Sequence, residues 1–219
     1  KDARLKRLIE LSLENNRDLR VAALNIDATR AKLQVARADQ LPTVNAGING
    51  SRGPVASGAI SSSYTAGLSV TAYELDFFGR VRALSQAAQS QLLATEEARK
   101  TVQISLIASV ANTYLTLLAD DELLRVTRET LKTRQESLRL MQLKYDNEAA
   151  SKLDLSTAQS LLEAAKVSLA QQTRQRATDE SALVLLVGQP LPADLPAGLG
   201  LAEQGFLSDL PAGVPSELL

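Results

Sequence analysis

The sequence contains neither cysteine nor histidine, and its aromatic side chains are limited to four tyrosines and three phenylalanines in 219 residues. The chain therefore has no disulfide, no thiolate nucleophile, no histidine acid–base catalyst and none of the usual zinc ligands. Charge of one sign is not in excess either, because 24 Lys and Arg face 25 Asp and Glu, which leaves no electrostatic footprint for nucleic acid.

Long apolar runs are also missing, since no stretch approaches the roughly 18 consecutive apolar residues of a membrane-spanning helix. The charged opening, Lys1 to Arg4, does not resemble a signal peptide, so we expect either a cytosolic protein or a processed or trimmed piece. No carboxylate pair, glycine-rich phosphate loop or nucleophile arrangement is present. We therefore expect no enzyme, no cofactor and no metal site.

Glycine and proline, which interrupt regular structure, are confined to two segments. Residues 1–41 and 80–187 contain neither, whereas 42–79 and 188–219 contain all of them. This distribution predicts a helix over 3–40, a short insert, a very long helical region and an irregular tail.

The long helical region must contain a turn, which the apolar pattern places at residues 147–154. Ser151, followed three residues later by Asp154, resembles a capping box. The flanking helices are then predicted over 79–146 and 152–187.

Leucines at intervals of seven predict that these two helices pack lengthwise as a coiled coil. The repeat is formed by Val110, Leu117, Leu124, Leu131, Leu138 and Tyr145 and, after the turn, by Leu155, Leu162 and Leu169. A rival turn at Asp120-Asp121 lacks any residue that reverses the chain, and aspartates there suit a solvated helix face.

The insert alternates between polar and apolar residues over 43–50 and 63–72, which predicts two strands joined by the loop 51–62. The apolar face is predicted to contain Val44, Ile48, Tyr64, Leu68 and Val70. The polar face is predicted to contain Thr43, Asn45, Ser63, Thr65, Ser69 and Thr71.

Two interpretations of this hairpin stay open. Its apolar face could pack on the helices of a soluble protein, with the polar face simply solvated. Alternatively, the strands span a membrane as part of a β-barrel, with the apolar face toward lipid, the polar face toward the lumen and aromatic residues at the interface. Two strands cannot close a barrel, so the second interpretation requires further strands.

Blocks along nearly the whole chain resemble a known family. The most specific block is Tyr73-Glu74-Leu75-Asp76-Phe77-Phe78-Gly79-Arg80, and the others are residues 16–22, 28–31, 36–42, 149–154 and 183–188. In this order they resemble the TolC-like outer membrane efflux proteins, most closely the OprM-like branch.

The resemblance implies a mainly α fold with a β-hairpin, in which a long antiparallel α-helical coiled-coil barrel joins a transmembrane β-barrel. Family members are homotrimers of two-repeat subunits, so this chain is expected to be a truncated or partly recorded protein that lacks the second repeat and the lipoprotein anchor. The implied domains are a periplasmic helix at 1–41, two barrel strands with an extracellular loop at 42–73, a periplasmic helical hairpin at 74–187 and an irregular equatorial segment at 188–219.

The function implied by the resemblance is an outer membrane exit duct that conducts drugs and small molecules passively from an inner-membrane pump. The implied partners are a periplasmic adaptor (membrane fusion) protein, an RND-type transporter and outer membrane lipid, and the location is the outer membrane and periplasm. The competing interpretation is a soluble periplasmic coiled-coil adaptor or scaffold.

Two groups of residues take roles from the resemblance. Asp154 matches a position that holds the periplasmic gate shut by pairing with the second repeat, although it could instead only cap its helix. Glu148 stands where the family usually has glycine. The expected adaptor contact, or else ordinary turn packing, is formed by Ala149, Ala150, Ser151 and Leu153. The expected membrane-interface junction, structural in role, is formed by Tyr73, Phe77, Phe78, Gly79 and Arg80.

Overall fold

The computed structural model describes residues 2–54, 56, 58–70 and 73–205, and it confirms a mainly helical chain with one β-hairpin. The elements are α1 (Ala3–Asn15), α2 (Arg17–Ala38), β1 (Val44–Pro54), β2 (Ile60–Val70), α3 (Arg80–Asp146) and α4 (Lys152–Val187), followed by a 3₁₀ turn at Leu201–Glu203.

The chain divides into two compact units. The first unit comprises Lys1–Leu19 with Gln103–Leu219, and the second comprises Arg20–Val102, so α3 contributes to both. Buried apolar side chains of the first unit come from α1, the start of α2, α3 and α4: Leu8, Leu11, Leu19, Leu106, Val110, Tyr114, Leu117, Leu124, Leu162, Ala165, Leu183 and Val187. In the second unit Leu33 of α2 and Val81 of α3 are buried.

The helix predicted over 3–40 is wrong in one respect, because the structure breaks it at Asn16. This residue has an extended backbone, and its side-chain oxygen accepts hydrogen bonds from the backbone N–H groups of Asp18 (2.9 Å) and Leu19 (3.0 Å). Its amide donates to the Leu186 carbonyl at 2.9 Å, and Ser12 donates to the same oxygen at 3.0 Å. Asn16 therefore ends α1, caps α2 and ties both helices to the end of α4.

The predicted helical hairpin is confirmed, with α3 and α4 ending within one residue of the predicted bounds. At 1.5 Å per residue, the 67 residues of α3 extend for roughly 100 Å. By length and composition α3 contains one window apolar enough to cross a membrane, a property that core helices share.

The sevenfold repeat is buried at one end of the hairpin and becomes exposed toward the turn. Val110, Leu117 and Leu124 are buried, whereas Leu131 is half-buried and Tyr145 is exposed. The rival turn is excluded because α3 continues through residues 120–121 without interruption. The expectation of a solvated face is also wrong for Asp120, which lies between two repeat positions and is buried.

Asp2 is a buried hydrogen-bonding centre of the first unit, with 3% of its surface exposed. One carboxylate oxygen caps α1 by accepting from the backbone N–H groups of Arg4 and Leu5. The other accepts from the Tyr114 hydroxyl at 2.9 Å, the Leu199 N–H at 3.0 Å and the Gln204 amide at 2.9 Å. A single carboxylate thus joins α1, α3 and the segment after α4.

This arrangement predicts a loss of stability in acid. Burial opposes ionisation, but hydrogen bonds from Gln204, Leu199 and Tyr114 outweigh it and lower the pKa of Asp2 from 3.8 to about 2. A carboxylate with a lowered pKa stabilises the fold above its ordinary pKa, and this contribution disappears as the pH falls through 3.8 toward 2. At about 1.4 kcal/mol per pKa unit, the contribution at neutral pH is about 2 kcal/mol.

Asp2→Ala should therefore lower the free energy of unfolding by about 2–3 kcal/mol at neutral pH, and by less in acid, as measured by chemical denaturation. Asp194→Ala is the matched control, because Asp194 is exposed and its carboxylate makes no hydrogen bond to a described residue. Equal losses in the two variants would contradict the role assigned to Asp2.

Candidate functional site

The two strands form an antiparallel hairpin whose pairing sorts the side chains by polarity from Val44 to Gly50, whereas the pair Arg52–Ser62 nearer the loop is polar on the otherwise apolar face. The predicted loop at 51–62 is too long, because pairing continues past Gly50 to the Pro54–Ile60 pair. Since directly paired residues share a face, one face carries the pairs Val44–Val70, Ala46–Leu68, Ile48–Ala66 and Gly50–Tyr64 and, nearer the loop, the pairs Arg52–Ser62 and Pro54–Ile60. The other face carries the pairs Asn45–Ser69, Gly47–Gly67, Asn49–Thr65, Ser51–Ser63 and Gly53–Ser61.

The apolar face is not covered by any part of the chain that the structure describes. Tyr64 is 78% exposed and Leu68 is 79% exposed, and Val44, Ile48 and Val70 are exposed as well. The Tyr64 ring lies over Gly50, where an added Cβ atom would be 3.0 Å from two ring carbons. The structure therefore gives no support to packing of this face on the chain's own helices.

The polar face brings together four of the six residues predicted for the lumen. Asn45 and Ser69 form one pair, and Thr65 and Ser63 follow on the same face of β2. Thr43 precedes β1 and lines a pocket with Glu74, Arg80 and other residues, whereas Thr71 lies outside the described residues. The face as a whole consists of small, neutral polar side chains and glycines.

The junction between β2 and α3 is held by two carboxylates. Arg80 donates two hydrogen bonds to Glu74, one of them from Nε at 2.9 Å, and this arginine lowers the pKa of Glu74. Asp76 accepts from the Arg82 backbone N–H at 2.9 Å at the start of α3, and backbone N–H groups there lower the pKa of Asp76. Both acids therefore remain ionised at neutral pH.

The aromatic residues of the junction face outward. Phe78 is completely exposed, Phe77 is largely exposed, and Tyr73 is about half exposed. Gly79 has φ of 75°, in the left-handed region that favours glycine, so the chain bends sharply into α3.

The turn between α3 and α4 contains the other predicted site residues. Glu148 adopts φ of 58°, the left-handed conformation for which glycine is the usual residue. The Ser151 hydroxyl accepts from the Asp154 N–H at 3.1 Å, while the Asp154 carboxylate accepts from the Ser151 N–H at 3.1 Å and its hydroxyl at 2.7 Å. The predicted capping box is thus confirmed.

Asp154 is held at the helix end as an anion. The hydrogen bonds from the Ser151 side chain and backbone lower the pKa of Asp154. Asp154 also lines a small groove between α3 and α4 with Arg134, Met141 and Leu161, without an ion pair to that arginine. Leu153 is 74% exposed beside it, and Ala149 and Ser151 are also exposed.

The sequence analysis did not predict the burial and the roles of three polar residues: Asp2, Asn16 and Asp120. The signal for Asp2 was present, because an Asp directly before an amphipathic helix is a typical N-cap. Asp120 could have been found from its position, since it follows Leu117 by three residues and precedes Leu124 by four, which puts it on the buried stripe. In the part of the chain that the structure describes, no group of acidic residues could hold a metal ion.

Comparison with known proteins adds a family. Residues 8–189 match the family model of the outer membrane efflux proteins. The chain is 47% identical over 226 aligned residues to the toluene efflux pump outer membrane protein TtgC of Pseudomonas putida, covering 100% of this chain and 46% of that protein. It is 38% identical to the outer membrane protein OprJ of Pseudomonas aeruginosa, covering 47% of it.

Solved structures show the same likeness. The open state of the MtrE outer membrane channel of Neisseria gonorrhoeae matches with a TM-score of 0.82 at 38% identity, covering 99% of this chain and 49% of that one. The chain thus spans about half the length of the curated relatives it matches.

Proposed function

The chain belongs to the outer membrane efflux protein family, and on that premise we propose that it forms part of the exit duct of a tripartite efflux system. The observation that carries this proposal is the β-hairpin, which from Val44 to Gly50 and from Tyr64 to Val70 presents one apolar and one polar face, both exposed, in a chain whose helix α3 is about 100 Å long. Such a strand pair suits a position between lipid and water.

The duct requires more strands than this hairpin provides, because open strand edges are not tolerated in lipid. We propose that the missing strands come from two sources: further copies in a homotrimer and a second hairpin in a second repeat. The half-length match to the relatives supports the second source.

In this duct, Val44, Ile48, Tyr64, Leu68 and Val70 contact lipid. The lumen is lined by Asn45, Ser63, Thr65 and Ser69. Thr43, which directly precedes β1, and Thr71, which is predicted from the sequence alone, are further proposed lumen residues. Small neutral side chains suit passive conduction of chemically varied molecules, since they bind none of them strongly. Relatives are named for toluene and antibiotic efflux, and we propose small apolar compounds and drugs as the cargo.

The junction residues Tyr73, Phe77, Phe78, Gly79 and Arg80 then lie at the membrane interface. Exposed aromatic rings are favourable at this depth, where one side of the ring meets apolar chains and the other meets headgroups. The Arg80–Glu74 pair fixes the start of α3 relative to the preceding segment. Its role is structural.

The turn at the far end of α3 is the proposed docking point for a periplasmic adaptor protein, which links the duct to an RND-type inner-membrane transporter. Its proposed contact residues are Ala149, Ala150, Ser151 and Leu153. Leu153 supports this assignment, because a large apolar side chain that is 74% exposed at a helix start gains from being covered by a partner.

The duct is tested by expressing the protein in its outer membrane, purifying it in detergent and inserting it into planar bilayers. We expect fractionation with the outer membrane, a trimeric mass and a passive conductance without nucleotide or ion gradient. Sealed bilayers, or a protein that stays in buffer without detergent, would contradict the duct and favour a soluble coiled-coil scaffold.

The proposed gate role of Asp154 predicts a leak. Asp154→Asn retains an oxygen that accepts from Ser151 but removes the charge, so a link to a cationic group across the aperture is lost. Because links between exposed groups are weak, the open state should gain about 2- to 5-fold in population for each link. Closed-state conductance in planar bilayers measures this change.

Ser151→Ala is the matched control for the gate. It removes the cap that the Ser151 hydroxyl provides to the Asp154 N–H but leaves the carboxylate charge in place. If Ser151→Ala leaks as much as Asp154→Asn, Asp154 acts only through the helix cap.

A further inference from the structure

Asp120 is a buried acid that the duct function does not use. It lies in α3 between Leu117 and Leu124, on the stripe that is buried, and only 8% of its surface is exposed. Its Oδ2 atom has no hydrogen-bond partner among the described residues. A carboxylate that is removed from water without a donor is strongly unfavourable, so this position calls for a proton or a cation.

A second acid, Asp179 of α4, lies three residues after Arg176, whose hydrogen bond to Asp121 at 2.5 Å brings this turn of α4 against residues 120–121 of α3, and its interaction with Asp120 raises the pKa of Asp120. Its own Oδ2 atom accepts a hydrogen bond from the Gln175 amide at 2.9 Å. Two carboxylates have only acceptor atoms, so they form a hydrogen bond with each other only when one of them is protonated. A single proton shared between the two acids would therefore account both for the unpaired Oδ2 atom of Asp120 and for the position of Asp179 beside it.

The other charges around the pair do not replace that proton. Arg176 of α4 directs Nε to Asp121 at 2.5 Å and a terminal nitrogen to Glu180 at 2.8 Å, so its hydrogen bonds go to other carboxylates. Burial first, and then Asp179 and Asp121, raise the pKa of Asp120, and Arg176 counteracts them only in part.

We propose that Asp120 and Asp179 share one proton and so form a pH-sensitive link between α3 and α4. The link is closed in mild acid, when one acid donates to the other. As the pH rises and the proton leaves, two negative charges face each other across the helix pair and weaken it. This proposal rests on the fold of the first unit and is independent of the duct function.

The sign of the pH dependence follows from the raised pKa. An acid whose pKa is higher in the folded than in the unfolded protein carries no penalty below its ordinary value of 3.8. The fold then loses stability as the pH rises from 3.8 through the raised pKa. This pH dependence is opposite in sign to that contributed by Asp2. Unfolding measured over a series of pH values therefore distinguishes the contribution of Asp120 from that of Asp2.

Asp120→Asn tests the link, because the amide donates to Asp179 at every pH and carries no charge. In the detergent-purified protein we expect this variant to raise the midpoint temperature of thermal unfolding by about 2–4 °C at alkaline pH and to leave it unchanged near pH 4. Glu129→Gln is the matched control, since it removes an exposed carboxylate of α3 that does not contribute to the raised pKa of Asp120, and it should show no such pH-dependent gain.

Infrared spectroscopy of the wild-type protein provides a second measurement that does not depend on folding of a variant. We expect a carbonyl band of a protonated carboxyl group that is present in mild acid and fades as the pH rises, that is absent in Asp120→Asn and that persists in Glu129→Gln. Absence of that band in the wild type, or a midpoint lowered equally at all pH values by Asp120→Asn, would overturn the proposal.

Discussion

Replacing Gly188 by alanine should lower the free energy of unfolding by about 2–5 kcal/mol. Gly188 ends α4 with φ of 81°, and its N–H donates to the Val184 carbonyl at 2.9 Å. The left-handed conformation costs a residue with a Cβ atom about 1–2 kcal/mol. The added Cβ would also overlap the Asn15 carbonyl oxygen and lie 2.8 Å from its carbonyl carbon. Backbone atoms cannot rotate away, so α1 and α4 must separate, at a further cost of about 1–3 kcal/mol.

Gly79→Ala is the matched control for this prediction. Gly79 has nearly the same backbone conformation, with φ of 75°, but an added Cβ atom there has no neighbour within 4 Å. Its cost should be limited to about 1–2 kcal/mol, the conformational part alone. Chemical denaturation of both variants measures the difference, and equal losses would show that the contact between Gly188 and Asn15 is unimportant.

Features that depend on neighbouring residues were predicted well from the sequence. The cap formed by Ser151 and Asp154 and the end of α4 at Gly188 are written in short motifs, because capping involves atoms within one helical turn. The lengths of α3 and α4 follow from the absence of glycine and proline between residues 80 and 187.

Features that depend on distant residues could not be predicted in this way. No glycine or proline marks the break between α1 and α2 at Asn16. The break is stabilised by a hydrogen bond to the Leu186 carbonyl, 170 residues further along the chain. Asp2 likewise depends on Tyr114 and Gln204, and Asp120 depends on Asp179. A polar residue in a helical stretch looks solvated in the sequence until the element that buries it is known.

The β-hairpin could be predicted from the sequence only in part. Strict alternation fixes which side chains share a face, because the period of a strand is two, and the register between Val44 and Pro54 agrees with the predicted faces. The strand ends were less predictable, since serine and glycine beyond Gly50 are compatible with either loop or strand. What covers the apolar face is a property of the assembled protein and is proposed here as lipid.

Leu68→Arg should prevent stable assembly in the outer membrane. Leu68 lies on the apolar face of β2, paired with Ala46 and 79% exposed. If this face contacts lipid, an arginine two residues before the end of β2 costs about 1–4 kcal/mol in each copy, depending on its depth in the bilayer. In the proposed trimer the cost is incurred three times, which is comparable to the whole stability of many folded proteins. We expect the folded trimer to be lost from outer membrane fractions.

Thr65→Arg, three residues earlier on the same strand, separates the effect of the face from the effect of the charge. Thr65 is paired with Asn49 on the polar face, where the guanidinium group would remain in water. This variant should assemble in normal amounts and should shift the ion selectivity of the purified duct toward anions, because three added positive charges line its lumen. Trimer yield and reversal potential are the two measurements. If both variants assemble equally well, Leu68 does not face lipid, and if both fail, the two faces of the hairpin do not meet different solvents.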